Sequence, residues 1–253
     1  MTQKLRSTLT LLVVTPMLLW SMAGMDVTPA RIVTGFPRAA TMLTDMFAHP
    51  DWEYWPIVQQ RLIESLQIAA LGTFLAGILA IPFGVLAARN LVRSPAPSGI
   101  GKVLLNAIRT FPEILLAYAF IKGLGLGAFA GVMAVAIHSI GMLGKLYAER
   151  IENVDKGAIE ALTTTGASPA AIFRHCILPE VLPDFVSFVL YRFDLNVRSA
   201  SVIGIVGAGG IGFILGLQYQ AANYPRLGLI VIATIATVVV VDSISAKIRQ
   251  RLA

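Results

Sequence analysis

The stretch LQIAALGTFLAGILAIPFGVLAA, residues 66–88, decides the fold class of this chain. It contains no charged residue, and it is long enough to meet the about 20 apolar residues that a helix needs to cross the core of a bilayer. Residues 66–88 are therefore predicted to form a transmembrane helix.

The composition of the whole chain supports this prediction. Of its 253 residues, 56% are hydrophobic and 13% are charged, whereas soluble domains carry about 25% charged residues. With so few charges, much of the surface is expected to face lipid. Two of the apolar stretches contain more than one charged residue each. The further stretches of spanning length are Leu5–Met25, Val103–Ile121, Ala128–Leu146, Phe185–Ile205 and Leu227–Ile244. The predicted fold class is an all-α integral membrane protein with about six transmembrane helices.

The first stretch, Leu5–Met25, admits two interpretations. The basic start MTQKLR before LTLLVVTPMLLW is typical of a cleaved signal peptide and also of an uncleaved signal anchor. No convincing small-x-small cleavage site precedes Asp26, so we expect a retained helix.

The basic residues indicate the orientation of the chain. If the N-terminus is inside and each stretch crosses once, twelve Lys and Arg residues fall inside and five outside. This bias predicts that both termini are cytoplasmic. It also explains the net charge of +6 without a nucleic acid partner.

We predict one integral domain over residues 1–253. Its parts are a first span (1–25), a periplasmic segment (26–65), a core bundle (66–246) and a cytoplasmic loop (150–184). The outer segment contains DWEYWP, whose aromatic rings favour the headgroup level, and RNLVRSPAPSGIGK at 89–102 is expected to be an inner loop. Cys176 is the one cysteine, which excludes an internal disulfide and a Cys-rich metal site.

The cytoplasmic loop carries a motif with defined spacing. Ser168 before Pro169 predicts a helix start, and Gly166 suits the end of the preceding helix, so two short helices should meet at this turn. The spacing resembles the EAA motif of ABC importer permeases, in which Glu-Ala-Ala is followed by a glycine and then Leu-Pro. The matching residues are Glu160, Ala161, Gly166, Leu178 and Pro179. Leu162 and Cys176 depart from the motif but keep those sites small or apolar.

Four further blocks resemble the phosphonate importer permease family, which includes importers of phosphite and related phosphorus oxyanions. They are SLQIAALGTFLAGILAIPFGVLAARN (65–90), RTFPEILLA (109–117), HSIGMLGKLYAERIE (138–152) and YRFDLNVRSASVIGIVGAGGIGF (191–213).

The resemblance implies a complete transport assembly in the bacterial inner membrane. It implies the fold of methionine-type importers, a homodimer of this chain, two cytoplasmic ATPases and a periplasmic or lipid-anchored substrate-binding protein. The EAA segment would be the coupling helix that fits a groove on an ATPase. ATP and Mg²⁺ would be bound by the ATPase, so no catalytic, cofactor or metal residue is expected in this chain.

The stretch GIVGAGGIG, residues 204–212, matches the G-x-G-x-x-G spacing of a dinucleotide-binding turn through Gly207, Gly209 and Gly212. No soluble βαβ unit is predicted around it, so a cofactor loop is excluded. These glycines instead indicate a broken helix near a gate, where close backbone approach or positive φ is needed.

The fifth stretch contains YRFDLNVR, with Arg192, Asp194 and Arg198 inside a predicted span. Such charges are costly in a membrane and normally face a cavity or a partner. Asp194 and Arg198 are spaced i, i+4 and can pair, whereas Arg192 faces elsewhere. Two interpretations stay open: a structural pair that braces the bundle, or arginines that line the path of a dianionic oxyanion.

Arg109 and Glu113 are also spaced i, i+4 in the third stretch, where we expect Arg109 to extend towards the inner interface. His138, in the fourth stretch, is expected to be a hydrogen-bonded packing residue.

The leading functional hypothesis is a permease subunit without chemistry of its own. Gly99-Ile100-Gly101-Lys102 lacks the spacing and the Ser or Thr of a phosphate-binding loop, so a partner must hydrolyse ATP. The alternatives are an ion-coupled secondary transporter of a small anion, with Asp194 and His138 as a proton relay, and an intramembrane enzyme. No nucleophile–base set or metal spacing supports the enzyme.

Overall fold

The computed structural model describes residues 3–25, 28–90 and 95–252. Over these residues every regular element is helical. A 3₁₀ turn lies at Trp52–Tyr54 and a π-helical turn at Phe173–Ile177. The α-helices are α1 (Gln3–Gly24), α2 (Pro29–Ala48), α3 (Trp55–Ala87), α4 (Pro95–Thr110), α5 (Glu113–Leu124), α6 (Ala128–Glu152), α7 (Lys156–Thr164), α8 (Pro169–Ile172), α9 (Leu178–Gly204), α10 (Gly210–Gln220) and α11 (Tyr224–Leu252).

The chain divides into two compact units, Met1–His49 and Pro50–Ala253. The first contains the apolar helix α1 and the amphipathic helix α2. Thr28 caps α2, since its hydroxyl accepts a hydrogen bond from the Arg31 backbone amide at 3.4 Å. The second unit contains the other nine helices and the residues predicted to carry function.

The second unit is built around close packing of α3, α6 and α9, which small residues permit. A Cβ at Gly72 would lie 2.7 Å from Val135 Cγ1, and one at Gly84 would lie 2.7 Å from Tyr147 Cβ. The Tyr147 ring stacks on Phe185 with centroids 3.8 Å apart. Its hydroxyl donates to the Gly77 carbonyl at 3.3 Å.

Helix α3 begins at Trp55, eleven positions before the predicted start at Leu66. Its 33 residues rise about 50 Å at about 1.5 Å each, more than the about 30 Å hydrocarbon core. Asp51 holds this start in place: its carboxylate accepts from the Glu53 amide at 3.2 Å and from Arg226 Nε at 2.9 Å. The prediction missed this turn because its boundary followed apolar composition rather than capping.

The third predicted span, Val103–Ile121, is not one straight helix. The helices α4 and α5 meet at an angle of 84°, where Phe111 and Pro112 separate them. A residue before proline is disfavoured in the α region, which explains the break. Arg109 and Glu113 therefore lie on different helices rather than on one face. The α4 helix also begins at Pro95, so residues 95–102, predicted as loop, are helical; residues 91–94 lie outside the described part.

The count of about six spans is not confirmed in the part of the chain that the structure describes. Three helices are long and apolar enough to cross a membrane: Trp52–Ala87, Ala128–Glu152 and Tyr224–Arg251. The bent pair α4–α5 would be a fourth. Helix α9 ends one residue before the end of the predicted span but begins at Leu178, inside the segment predicted as a loop, and it carries several charges. The apolar part of α1, Thr10–Gly24, is shorter.

Candidate translocation site and coupling segment

A buried polar network joins α3, α6 and α9 inside the bundle. The Asn196 side-chain amide donates to Thr73 Oγ1 at 2.8 Å and to Ser139 Oγ at 3.0 Å. Thr73, Ser139 and Asn196 are almost fully buried, so each hydrogen bond replaces one that water would otherwise supply. The network therefore ties three helices together in an apolar setting.

Arg192 extends this network. Its Nε donates to Ser139 Oγ at 2.9 Å and its Nη1 contacts Met142 Sδ at 3.2 Å. The residue is 6% exposed, yet its Nη2 has no hydrogen-bond partner. One donor group of the Arg192 guanidinium therefore remains without a partner inside the bundle.

Two other buried polar atoms near Arg192 are unpartnered, His138 Nδ1 and Glu113 Oε1. Arg192 and Glu113 are charged neighbours of His138, which lies beside the Phe111 backbone at the α4–α5 break. His138 hydrogen-bonds to the Phe111 backbone, which agrees with the prediction of a hydrogen-bonded packing residue, although its Nδ1 has no partner. The guanidinium of Arg192, the carboxyl group of Glu113 and the imidazole of His138 are thus neighbours, and each has one polar atom without a hydrogen-bond partner.

Asp194 and Arg198 form the predicted i, i+4 pair on α9. Asp194 Oδ2 lies 3.6 Å from Arg198 Nη2. The two side chains differ in burial, since that of Asp194 is 5% exposed and that of Arg198 is 51% exposed. Arg192 points away from this pair towards α6, as predicted. The structure thus separates the arginines into one inside the network and one on the surface of the bundle.

The glycine-rich stretch breaks a helix, as predicted. Helix α9 ends at Gly204 and α10 begins at Gly210. Gly207 and Gly209 lie between them with φ of +103° and +83°, values that L side chains rarely adopt. Gly212 is helical instead, and a Cβ there would collide with the Ser201 carbonyl.

Contacts from α3 and from the residue before α6 hold this break in place. The Gly127 amide, before α6, donates to the Gly207 carbonyl at 3.0 Å. Ser65 Oγ of α3 accepts from the Ile211 amide at 2.8 Å. A Cβ at Gly209 would lie 2.7 Å from Glu64 Oε1. The turn is therefore packed into the bundle, with helix rather than strand on both sides.

The segment that resembles the EAA motif, residues 156–179, has the predicted two-helix form. Asp155 caps α7 by accepting from the Gly157 amide at 3.0 Å, and Ser168 caps α8 by accepting from the Ala171 amide at 3.3 Å. Gly166 joins the helices with φ of +78°, and its amide donates to the Thr163 carbonyl at 3.0 Å. The turn and both helix starts are thus explained by residues of the segment itself.

One side of this segment is anchored and the other is free of the bundle. Ile172 and Ile177 are buried in the cluster around Tyr147, and Leu162 and Cys176 pack against that cluster. The two departures from the EAA motif therefore face inward, where small or apolar residues fit. Arg150 adds ion pairs from the end of α6 to Asp184 and Glu180. Within the motif, Glu160, Ala161, Gly166 and Pro179 are exposed and Leu178 is half-buried.

The sequence did not predict that Thr73 and Ser139 bond to Asn196 and Arg192 of α9. Thr73 and Ser139 lie in apolar stretches, and nothing in their spacing relates them to Asn196 or Arg192. Their signal is only that each is a polar residue within a predicted span. Among residues 3–25, 28–90 and 95–252, no group of three or more His, Cys, Asp or Glu side chains could hold a metal ion.

Residues 80–253 match the family described as the inner membrane component of binding-protein-dependent transport systems. The phosphite transport system permease protein of Stutzerimonas stutzeri is 36% identical over 231 residues, 91% of this chain and 83% of that protein. The phosphate-import permease protein of Mycolicibacterium smegmatis is 34% identical over 229 residues, 90% of this chain and 43% of that protein.

The fold is also found among solved structures. A chain of the methionine ABC transporter in an inward-facing conformation superposes with a TM-score of 0.70 at 21% identity, covering 80% of this chain and 99% of that chain. The predicted fold class, a helical permease bundle of the methionine-importer type, is confirmed.

Proposed function

We propose that this chain is the permease subunit of an ATP-driven importer of a phosphorus oxyanion. The premise is that the chain belongs to the family of inner membrane components of binding-protein-dependent transport systems. The observation that carries the substrate class is the 36% identity to a phosphite permease over 91% of the chain. The relatives differ in substrate, since another is a phosphate-import permease. The proposed class is therefore phosphonate, phosphite or a related oxyanion.

The site that supports this class is the cluster around Arg192. A guanidinium with a free Nη2 can donate to a phosphoryl oxygen, and His138 Nδ1, when protonated, can do the same. Glu113 Oε1 can only accept when ionised, so it suits the hydroxyl of a monoprotonated oxyanion. Because a path must also release its substrate, one buried arginine fits better than a cage of several.

Arg198 and the glycine break supply the other parts of the proposed path. The exposed side chain of Arg198 would face the route between two copies of the chain, with Asp194 limiting its net attraction for the anion. Gly207, Gly209 and Gly212 would form the gate, because their backbone packs where any side chain would be strained or would collide.

The α7–α8 segment would couple this path to ATP hydrolysis. Its exposed face, with Glu160 and Ala161 before the Gly166 turn, fits a helix-in-groove contact with a cytoplasmic ATPase. Leu178 and Pro179 begin α9, so a displacement of the segment passes directly into the helix that carries Arg192 and Arg198. ATP and Mg²⁺ belong to the ATPase in this scheme.

The proposed assembly contains two copies of this chain, two ATPases and an external substrate-binding protein in a bacterial inner membrane. Both termini are cytoplasmic, with the first span retained and residues 26–65 periplasmic. The proposed division into a core bundle (66–246) and a coupling loop (150–184) follows from this arrangement.

The test is reconstitution in liposomes with the cognate ATPase and binding protein. ATP hydrolysis is measured against phosphonate, phosphite, hypophosphite and phosphate, with sulfate as a control anion that carries no proton at neutral pH. Stimulation by one phosphorus oxyanion and not by sulfate is the expected result. Uptake driven by a proton gradient without ATP would instead establish the secondary transporter.

A further inference from the structure

The helix α2, Pro29–Ala48, has two faces of opposite character and lies before the residues that match the family. At 3.6 residues per turn, Ile32, Phe36, Leu43 and Phe47 share one face. The opposite face carries Arg31, Arg38, Thr41 and Asp45. Such separation is typical of a helix that lies between an apolar and a polar phase.

The apolar face of α2 is open. Phe36 is 73% exposed, Val33 71%, Leu43 52% and Ile32 49%, so large side chains are left uncovered over three turns. Contiguous apolar surface of this kind marks a contact with a partner or a membrane.

Chain connectivity favours the membrane as the occupant. Residues 25–28 alone separate α2 from α1, and four residues reach at most about 14 Å. If α1 crosses the bilayer, the start of α2 is held at its surface. At the other end, Trp52 and Trp55, both exposed, follow within a few residues, and such rings favour the headgroup level. If α1 crosses, its short connection to α2 therefore keeps the start of α2 at one membrane surface.

We propose that α2 is an interfacial helix that lies in the plane of the leaflet reached by the C-terminal end of α1. Its apolar face enters the acyl boundary by about 5–10 Å. Arg31 and Arg38 lie at the lipid phosphates, whose negative charge they complement. The proposal rests on α1 crossing the membrane and not on the transported substrate.

Two matched pairs of labelled positions test it in the full chain. Cys176→Ser removes the one native cysteine, and an environment-sensitive fluorophore is attached at Phe36→Cys or Arg38→Cys, two positions on opposite faces. The chain is reconstituted in vesicles of phosphatidylethanolamine and phosphatidylglycerol, with brominated acyl chains as the lipid quencher and iodide as the aqueous quencher. Leu43→Cys and Thr41→Cys repeat the comparison one to two turns away.

The expected result is blue-shifted emission quenched by brominated lipid at Phe36→Cys and Leu43→Cys, with iodide quenching at Arg38→Cys and Thr41→Cys. Equal access of iodide to both faces would overturn the proposal. Protection of the Phe36 face from both quenchers, with cross-linking there to another polypeptide, would overturn it in favour of a protein partner. Transport is not measured, so a wrong substrate class leaves each of these outcomes unchanged.

Discussion

Two stretches of this chain are rich in polar residues, and they use them in opposite ways. In α9, Arg192, Asp194 and Asn196 are buried, and Arg192 and Asn196 donate to side chains of α3 and α6. In α7 and α8, Glu160 and the threonines after it are exposed, and the hydroxyls of Thr163 and Thr164 bond only to carbonyls of their own helix. The first stretch ties the bundle together and leaves only Arg192 Nη2 for the proposed substrate contact, whereas the second leaves a whole face for a partner.

The difference has a simple physical origin. Inside a membrane no bulk water satisfies a polar group, so a polar residue persists there only with a partner or a cavity. At the cytoplasmic surface water satisfies the same groups, and the segment needs only caps and a few apolar anchors to keep its form. Damage to the buried stretch should therefore appear as lost stability, and damage to the exposed stretch as lost coupling.

The largest expected effect is that of Gly166→Pro on transport. Proline requires a φ near −65° and has no amide donor, whereas Gly166 has a φ of +78° and donates to Thr163. We expect ATP hydrolysis to lose its stimulation by the loaded binding protein, while the permease still purifies as a folded membrane protein. Gly166→Ala, which costs about 1–2 kcal/mol in this conformation, should give a partial loss, and Glu160→Lys should weaken co-purification of the ATPase. Normal transport by Gly166→Pro would refute the coupling role.

The next effect concerns the buried stretch. Asn196→Leu removes the amide that donates to Thr73 and Ser139 and the oxygen that accepts from the Ser139 hydroxyl. A buried donor left without a partner costs about 1–3 kcal/mol. We expect a lower melting temperature of the detergent-purified permease. Asn106→Leu is the matched control, since Asn106 is exposed on α4 and its loss should change stability by about 0.5 kcal/mol or less. Equal effects of the two variants would contradict the distinction between buried and exposed polar residues.

The smallest effect is expected at Asp194 and Arg198, a pair in which one side chain is buried and the other is exposed. Exposed or membrane-embedded pairs of this kind are worth about 0.5–1 kcal/mol, so Asp194→Ala and Arg198→Ala should each destabilise slightly and the double variant should recover part of that loss. If Arg198 also lines the path, as we propose, its removal raises the KM for uptake in the single and the double variant alike. If the double variant instead recovers both uptake and stability, the pair has only a structural role.

Local features of the site follow from the sequence. The Gly166–Ser168 turn, the helix start at Pro169 and the pairing of Asp194 with Arg198 depend on neighbours within a few positions, so spacing alone predicts them. The break at Gly204–Gly210 is also predicted from the sequence, because several glycines close together weaken a helix. The resemblance carried by 160–179 and 191–213 also led to the family that the comparisons found.

Other features depend on contacts that no spacing encodes. The bend between α4 and α5 separates Arg109 from Glu113 and brings Glu113 towards His138. The early start of α3 depends on Asp51 meeting Arg226, far along the chain.

The sequence by itself determined that this chain is a helical membrane protein with one long polar segment, because composition and short-range spacing fix which residues can face lipid, cap a helix or turn. Only the tertiary structure decided which polar groups meet inside the bundle. Thr73, Ser139 and Asn196 come from three helices, and their hydrogen bonds exist only because small residues let those helices approach closely.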